Sequence, residues 1–323
     1  MAQTASLADT HVGVDVSKDR LDVALHPDGG GFAVPNDPGG WAELARRCKE
    51  HSAACIGLEA SGGFEQGVAR SLREAGLAVR LLNAHRVRSF ARALGQCAKN
   101  DRADAAVIAR FVAVVPGRAL KGRPPGEDTL AQALAMRQIL VGRQVDMGNQ
   151  ARALRDPDLK RMAQRQARDL AADLKLLDQK LAACVKADPD LKRRYALITS
   201  APGAGPVLAC TLLAEMPELG AITRREAGAL AGVVPYDHDS GKIRGKRAIW
   251  GGRDAVRCKL YMAALVACKH NPALKALREH LDAKGKPPKV ALVAVMRHLI
   301  TTLNAMLRTG TPWTDKTAKP KTA

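Results

Sequence analysis

Four carboxylates and one serine are the residues of this chain whose types and spacing could do chemistry. Asp15 lies in the strand-like segment HVGVDVS, and Glu59 lies at the end of the apolar run in CIGLEAS. Asp101 and Asp104 lie in KNDRADA, and Ser240 lies far downstream in HDSGKIRG. Clustered carboxylates bind the divalent metal ions that catalyse phosphoryl transfer, and a serine hydroxyl can act as a nucleophile. This set could supply both functions together.

The spacing of the acids predicts that they converge. Asp101 and Asp104 are three apart on a predicted helix, so both project from one face about a turn apart. Asp15 and Glu59 would meet if their strands are neighbours, and a helix laid across that end would complete the cluster. Such oxygen ligands suit Mg²⁺ or Mn²⁺, and two ions about 4 Å apart stabilise the entering and leaving oxygens of phosphoryl transfer. Without metal, repulsion would make some of these acids take up protons.

Each residue also has a structural explanation when it is taken singly. Asp15 could be a polar residue at a strand end, Asp101 could belong to an exposed helix face, and Ser240 alone is typical of a polar turn. The joint pattern of the four acids is more specific. The segment around and after the serine is rich in cations that could hold a scissile phosphate and its developing charge; they are Lys242, Arg244, Lys246, Arg247, Arg253 and Arg257.

Composition favours a cytoplasmic protein with a polyanionic partner. The 323 residues suffice for two domains, and 51 Lys and Arg against 32 Asp and Glu give a net charge of +19, so nucleic acid is the first candidate partner. We expect no membrane association, since no segment approaches the roughly 18 apolar residues of a spanning helix and the N-terminus lacks a secretion signal. The seven cysteines form no Cys-x-x-Cys pair, which argues against a disulfide framework or structural zinc. The 3% aromatic content disfavours base stacking.

The pattern over residues 11–125 predicts an α/β domain. Alternating apolar residues predict a hairpin over 11–25, followed by a short strand, a helix after Asp37, a strand ending at Glu59 and further alternating helices and strands. Antiparallel strands followed by alternation with helices describe a mixed sheet covered by helices. Four cations lead into the Asp-x-x-Asp helix and could contact a nucleic-acid backbone, although half of them could form only a solvated helix face: Arg86, Arg88, Arg92 and Lys99.

The rest of the chain is predicted to be mainly helical. Residues 126–192 carry a leucine stripe at 170, 174, 177 and 181, which suits a coiled coil that dimerises or, equally, a helical linker packed on its own domain. Residues 193–313 are predicted to form a mainly α domain. Its turn Pro202–Gly205 is of the helix-hairpin-helix kind, in which Gly203 and Gly205 offer amides to a phosphate, or is merely a tight helix connection. We expect residues 1–10 and 314–323 to be disordered.

An ordered set of motifs identifies a resemblance. The segments VGVDVSKDRLDVAL, IGLEASGGFEQGVARSL, KNDRADAAVIARF, TSAPGAGPVLACTLLAEM and DSGKIRGKRAIWGGRDAVRCKLYMAAL follow one another in that order. Over residues 11–313 the chain closely resembles the DEDD transposases of the insertion sequence 110 family.

The resemblance implies a fold and a mechanism. It implies a RuvC-like, RNase H-type domain whose four metal-binding acids match Asp15, Glu59, Asp101 and Asp104, a coiled-coil segment, and a transposase domain whose catalytic serine matches Ser240. It also implies a recombinase that moves its own element, guided by a structured noncoding RNA encoded beside the gene, and it leaves a dimer or a tetramer open.

Several points remain open at this stage. The proton acceptor for the serine could be the metal site or one of Asp237, His238 and Asp239. A hydrolytic nuclease of the junction-resolvase type would need the acids and water but no serine. A catalytically inert relative that only binds RNA or DNA is the second alternative.

Overall fold

The computed structural model describes residues 9–96, 101–120, 125–237, 239–240, 245 and 247–314, with only the backbone described at 101–103 and 125. The chain divides into two compact units, one up to residue 122 and one from residue 123. The segments predicted over 126–192 and 193–313 therefore belong to the same unit. The predicted disorder of the termini concerns residues that lie almost entirely outside the described ranges.

A mixed five-stranded sheet forms the centre of the first unit. Its strands lie in the order β3-β2-β1-β4-β5, in which β1 is antiparallel to β2 and parallel to β4. The elements are β1 (His11–Val16), β2 (Arg20–His26), β3 (Gly31–Pro35), α1 (Pro38–Glu50), β4 (Cys55–Glu59), α2 (Glu65–Glu74), β5 (Val79–Leu82), α3 (Ala84–Ala93) and α4 (Asp101–Val114). The predicted α/β arrangement is confirmed.

Alternation along the strands decides which face of the sheet each side chain joins. Val12 and Val14 of β1 and Leu58 of β4 are fully buried in a core that also contains Leu44 of α1 and Leu72 of α2. The intervening residues of β1 and β4 therefore point to the opposite face of the sheet.

Two glycines allow α4 to pack on that opposite face. A Cβ added at Gly13 would lie 2.2 Å from the Ala109 amide nitrogen, and one at Gly57 would lie 2.3 Å from Val112. Arg80 of β5, itself buried, donates from Nη1 to the Val112 carbonyl oxygen at 3.1 Å. The end of α4 is thus held by a cation, which the helix dipole favours.

The second unit is helical, with one two-stranded ribbon among its described residues. Its elements are α5 (Pro125–Ala153), α6 (Pro157–Ala187), α7 (Pro189–Thr199), α8 (Pro206–Glu215), α9 (Arg224–Leu230), β6 (Pro235–Tyr236), β7 (Ala248–Ile249), α10 (Asp254–His270), α11 (Pro272–Ala283) and α12 (Pro288–Thr309).

The two long helices α5 and α6 form a hairpin, which bends at the predicted Asp156–Pro157 position. Asp156 caps α6, because its carboxylate accepts from the Asp158 and Leu159 amides at 2.9 and 3.0 Å. In the leucine stripe, Leu174 and Leu181 are buried, and Leu181 shares a core with Leu130 of α5. The stripe is therefore used inside the unit, as the alternative of a helical segment packed on its own domain requires.

The last helix, α12, corrects the expectation that no segment is long and apolar enough to cross a membrane. It meets that criterion by length and composition, and 56% of its most apolar window is buried inside the protein. Val295, Leu299 and Leu303 are fully buried in the core of the second unit. An apolar helix of this length also results when a soluble domain surrounds one of its helices.

The six described cysteines are free, as predicted for a chain without a disulfide framework; Cys97 lies outside the described residues. Burial raises the pKa of the Cys48 thiol to about 12 and that of Cys210 to about 11. Both thiols are therefore protonated at neutral pH and serve as small apolar side chains.

Candidate active site

Strand register places Asp15 beside Glu59. Val14 of β1 pairs with Leu58 of the parallel strand β4, so the next residue of each strand, Asp15 and Glu59, follows in step at the carboxyl edge. Neighbouring strands lie about 4.8 Å apart, and residues in step project to the same face. This is the face that Gly13 opens to α4. Both carboxylates already take part in interactions within the chain.

Helix α4 directs its first turn towards the same region. Ile108 of α4 contacts the Gly57 position, and Asp104, which is half-buried, lies one turn earlier on the same side of the helix. Asp101 begins the helix, but its side chain lies outside the described part of the structure. Among the described side chains, no group of three His, Cys, Asp or Glu is close enough to hold a metal ion.

A further carboxylate, Asp22, lies opposite Asp15 in β2. Directly paired residues of antiparallel strands project to the same face with their Cβ atoms about 5 Å apart. Arg20 binds Asp22, with Nη2 at 2.8 Å and Nε at 3.0 Å from its oxygens. Sequence analysis missed this pair, which the hairpin register around the turn at residues 17–19 would have revealed.

Asn36 connects the loops that follow the two acid-bearing strands. Its amide nitrogen donates to the Ser17 carbonyl after β1 at 2.8 Å and to the Phe64 carbonyl after β4 at 3.3 Å. Trp41 in turn donates from Nε1 to the Asn36 side-chain oxygen at 2.7 Å. The bridge restrains both loops beside the edge where Asp15 and Glu59 lie.

Glu65 organises the loop after β4 from within. Its Oε2 accepts hydrogen bonds from the Ser61 and Gly63 amides at 3.1 and 2.9 Å and from the Ser61 hydroxyl at 3.0 Å. Burial by itself raises the pKa of this carboxyl, but the backbone and hydroxyl donors outweigh burial and hold the pKa below its usual range. The loop is therefore built around an ionised carboxylate.

The cations predicted before α4 lie partly on an exposed helix face. Arg86, Arg88 and Arg92 are exposed on α3, while Val87 and Ala91 of the same helix face the core. The Arg86 guanidinium lies over the Phe111 ring at 5.7 Å, so this cation has a structural contact. Lys99 lies outside the described residues. Nucleic-acid binding by this group stays a prediction.

In the second unit, Ser240 lies in the connection between β6 and β7 and is exposed to solvent. Two carboxylates close this connection: Asp237 binds Arg247 at 2.5 Å, and Asp239 accepts from the Gly245 amide at 3.1 Å. Exposed aromatic side chains at Tyr236 and Trp250 flank the ribbon, a feature that the low aromatic content had concealed. Lys242, Arg244, Lys246 and His238 lie outside the described residues.

The segment after Ser240 is anchored to the end of α9. The Arg253 amide donates to the Leu230 carbonyl at 2.7 Å, and Arg257 Nη1 donates to the Gly251 carbonyl at 2.6 Å. The Arg253 side chain binds Glu218 at 2.7 Å, and its buried Nη1 has no partner among the described residues. Both arginines therefore have structural roles, and their predicted contact with nucleic acid stays a prediction.

The predicted turn at Pro202–Gly205 connects α7 to α8. Gly203 has a φ of +97°, and a Cβ there would lie 2.5 Å from the Ala267 Cβ of α10, so this glycine permits close helix packing. Gly205 is the N-cap of α8 and has open space around it. Phosphate binding by Gly203 and Gly205 stays a prediction, as does the alternative of a tight connection.

Two family models match the chain in the order of its chemistry. A transposase model of the DEDD type of insertion sequence 110 matches residues 12–156, which include all four acids. A second model, described as the transposase IS116/IS110/IS902 family, matches residues 195–279, which include Ser240. The chain belongs to the insertion sequence 110 family of DEDD transposases.

Relatives of this transposase act on DNA by their names. It is 24% identical to the pilin gene-inverting protein of Moraxella bovis over 317 residues, which cover 95% of this chain and 98% of the relative. It is 31% identical to an insertion element IS110 protein of Streptomyces coelicolor over 36% of the chain and 29% of the relative. It is 25% identical to a putative transposase of Sinorhizobium fredii over 62% of the chain and 58% of the relative. The protein is an enzyme that acts on DNA by strand transfer.

Proposed function

We propose that this transposase excises and inserts its own element by metal-dependent strand cleavage and rejoining. Asp15, Glu59, Asp101 and Asp104 are the metal ligands, and Ser240 is the nucleophile. The observation that supports the proposal best is the register of β1 and β4, which puts Asp15 in step with Glu59 on the sheet face packed by α4.

The donor set fits a hard divalent cation. Carboxylate oxygens on adjacent strands and on one helical turn are the ligands that Mg²⁺ and Mn²⁺ prefer. Bound there, one or two such ions would supply positive charge to the phosphate oxygens in the transition state. Asp22 extends the acidic edge, but its ion pair with Arg20 already neutralises it, so the proposal assigns it no ligand role.

The serine step exchanges one ester for another. The Ser240 oxygen attacks the scissile phosphorus and forms a phosphoserine bond, while the bond from phosphorus to the departing DNA oxygen breaks. The departing oxygen takes up a proton, and the serine loses one. Because the phosphoester is conserved, rejoining by the reverse attack of a DNA hydroxyl needs no ATP.

Asp237 and Asp239 lie near enough in sequence to accept the serine proton, yet both also hold the connection closed through Arg247 and Gly245. A carboxylate engaged with a guanidinium is a weaker base. This favours the metal site or His238 as the proton acceptor, and a pH profile of cleavage in the His238→Ala protein separates the two.

The partners follow from the same proposal. DNA is the substrate, a structured noncoding RNA from the element guides target choice, and the protein acts as a homo-oligomer in the prokaryotic cytosol. The acids belong to the first unit and Ser240 to the second, which allows a site assembled from two protomers. If so, a mixture of Asp104→Asn and Ser240→Ala proteins recovers activity that neither has alone, and a mixture as inactive as its components refutes sharing.

The decisive experiment follows excised circular junctions by PCR and sequencing in cells that carry the gene with its natural flanks. Wild type, Ser240→Ala and Asp104→Asn are compared with Ser71→Ala and Asp173→Asn, which alter a serine and an aspartate away from the proposed site. Only wild type and the two controls should produce junctions. Because one relative is named for inverting a gene, the same assay reads inverted segments.

A second measurement identifies the nucleophile. Purified protein, DNA, guide RNA and Mg²⁺ should yield a protein–DNA adduct that survives denaturing electrophoresis and disappears with EDTA and in Ser240→Ala. Cleavage by Ser240→Ala without an adduct would establish the hydrolytic nuclease instead. Unchanged recombination after deletion of the noncoding flank would remove the RNA from the proposal.

A further inference from the structure

A groove runs between α5 and α6 near the tip of their hairpin. Its volume is about 710 Å³, and its lining is divided by chemistry. Small residues form its floor, and cations form its walls. The floor contains Gly148, Ala151 and Ala167, and the walls contain Arg152, Lys160 and Arg168.

The cations of this groove have no acidic partners. Arg152, Lys160 and Arg168 form no ion pair with any residue that the structure describes. Elsewhere on the same hairpin, Arg137 binds Asp178 at 2.7 Å. Between residues 143 and 169 there are seven Lys and Arg against four Asp, and two of these Asp are engaged at the tip. Asp156 caps α6 and Asp158 pairs with Arg161.

An unneutralised cationic groove is complementary to a phosphate backbone. Each cation that meets a phosphate releases condensed counterions, which drives binding without regard to sequence. A floor without large side chains lets the backbone approach both walls. The groove therefore fits a polynucleotide better than it fits an isolated small anion.

The same hairpin argues for a duplex. Residues 125–187 contain no Phe, Tyr, Trp or His, so unpaired bases find no ring on which to stack. Lys160 and Arg168 are eight residues apart, which is about 12 Å along a helix. That span is comparable to the major groove of B-DNA, about 12 Å wide, whereas the major groove of A-form RNA is narrow.

We propose that the α5–α6 groove binds the phosphate backbone of duplex DNA, with Arg152, Lys160 and Arg168 as its contacts. The site is separate in sequence from the four acids and from Ser240. It rests on the action of this family on DNA, and it stands or falls independently of the serine mechanism and of the guide RNA.

The test measures binding of a duplex of arbitrary sequence to the full-length protein as salt is varied. The groove variant carries Arg152→Gln, Lys160→Gln and Arg168→Gln. The matched control carries Lys175→Gln, Lys180→Gln and Lys186→Gln, which remove the same charge from exposed positions of α6 outside the groove. The groove variant should bind at least about tenfold more weakly near 0.1 M salt, with a log–log salt slope reduced by up to about 3. The control should keep the wild-type slope.

Further arms protect the interpretation. A charge-conserving variant with Arg152→Lys, Lys160→Arg and Arg168→Lys should bind like wild type, which separates loss of charge from loss of folding. A helical RNA duplex should be less sensitive to the groove variant than the DNA duplex. Equal salt slopes for the groove variant and the control would overturn the proposal, and so would a loss confined to RNA. Adduct formation through Ser240 on a short cleaved substrate reports the serine chemistry separately.

Discussion

Gly13 of β1 lies directly against the backbone of Ala109 in α4: a Cβ added at Gly13 would be 2.2 Å from the Ala109 amide nitrogen. The Ala105 carbonyl oxygen would be equally close. No flexible side chain can move aside, because both contacts are backbone atoms. The distance between the sheet and α4, and with it the distance between Asp15 and the first turn of α4, therefore depends on this glycine.

We expect Gly13→Ala to destabilise the first unit by about 1–3 kcal/mol and to reduce recombination, because α4 must shift away from the sheet. Denaturant unfolding and the junction assay measure the two effects. Gly30→Ala is the control, since its Cβ would meet only the Leu25 side chain at 3.5 Å and its φ is not positive. A Gly13→Ala protein as stable as Gly30→Ala would contradict the close packing.

Gly251 and Gly252 separate backbone strain from steric contact. Both have a φ near +70°, but a Cβ at Gly251 meets nothing within 4 Å, while one at Gly252 would lie 2.3 Å from the Gly232 nitrogen. Gly251→Ala should cost about 1–2 kcal/mol through strain alone. Gly252→Ala should cost about 1–3 kcal/mol more, because the segment after Ser240 must move away from α9. Equal losses in unfolding experiments would show that the contact does not matter.

Glu65 predicts a pH dependence of stability. Its pKa in the folded protein is lowered, so its ionised form stabilises the fold above the unfolded pKa of about 4.3. This contribution is lost as the pH falls below that value and through the folded pKa. Glu65→Gln should therefore lower the free energy of unfolding by about 1.5–3 kcal/mol at pH 7, the range for hydrogen bonds to charged groups. The difference from wild type should shrink in more acidic solution.

The control for this experiment is Glu74→Gln, which alters an exposed carboxylate paired with Arg70 at the surface. Exposed pairs contribute little, so its effect at pH 7 should be below about 1 kcal/mol. A constant difference between Glu65→Gln and wild type from pH 7 to pH 3 would mean that ionisation of Glu65 is not what holds the loop.

Asn304 should be essential to the second unit despite lying on an apolar helix. It is buried, accepts from the Gly220 amide at 2.7 Å and donates to the Ile222 carbonyl at 2.9 Å. Asn304→Leu leaves both backbone groups unpaired, at about 1–3 kcal/mol each. Thermal unfolding should show a clear loss, while the exposed Asn149→Leu should change little. A neutral Asn304→Leu would indicate that water replaces both bonds.

Local patterns predicted most of the first unit because its signals are short-range. Alternation placed the strands ending at Val16 and Glu59, and Asp37 with Pro38 marked the start of α1, which the capping bond to the Gly40 amide at 2.8 Å supports. The leucine stripe and the Asp156–Pro157 bend likewise predicted the α5–α6 hairpin. These features depend on residues within one or two turns of each other.

Relationships across elements were not predictable in the same way. The pairing of Asp22 with Asp15 depends on hairpin register, and the contact of Gly13 with Ala109 joins residues almost one hundred positions apart. The uncompensated groove at Arg152, Lys160 and Arg168 depends on which acids are engaged elsewhere.

The sequence by itself determined which residues can do chemistry, which elements carry them and which family the chain resembles, since side-chain type and short-range periodicity are local properties. Only the tertiary structure decided that Asp15 and Glu59 share a face under α4, that Glu65 and Asn36 restrain the loops beside them, and that the leucine stripe is used within the chain. Those outcomes depend on register and close packing, which arise from many weak contacts between distant residues and are set only when the whole unit folds.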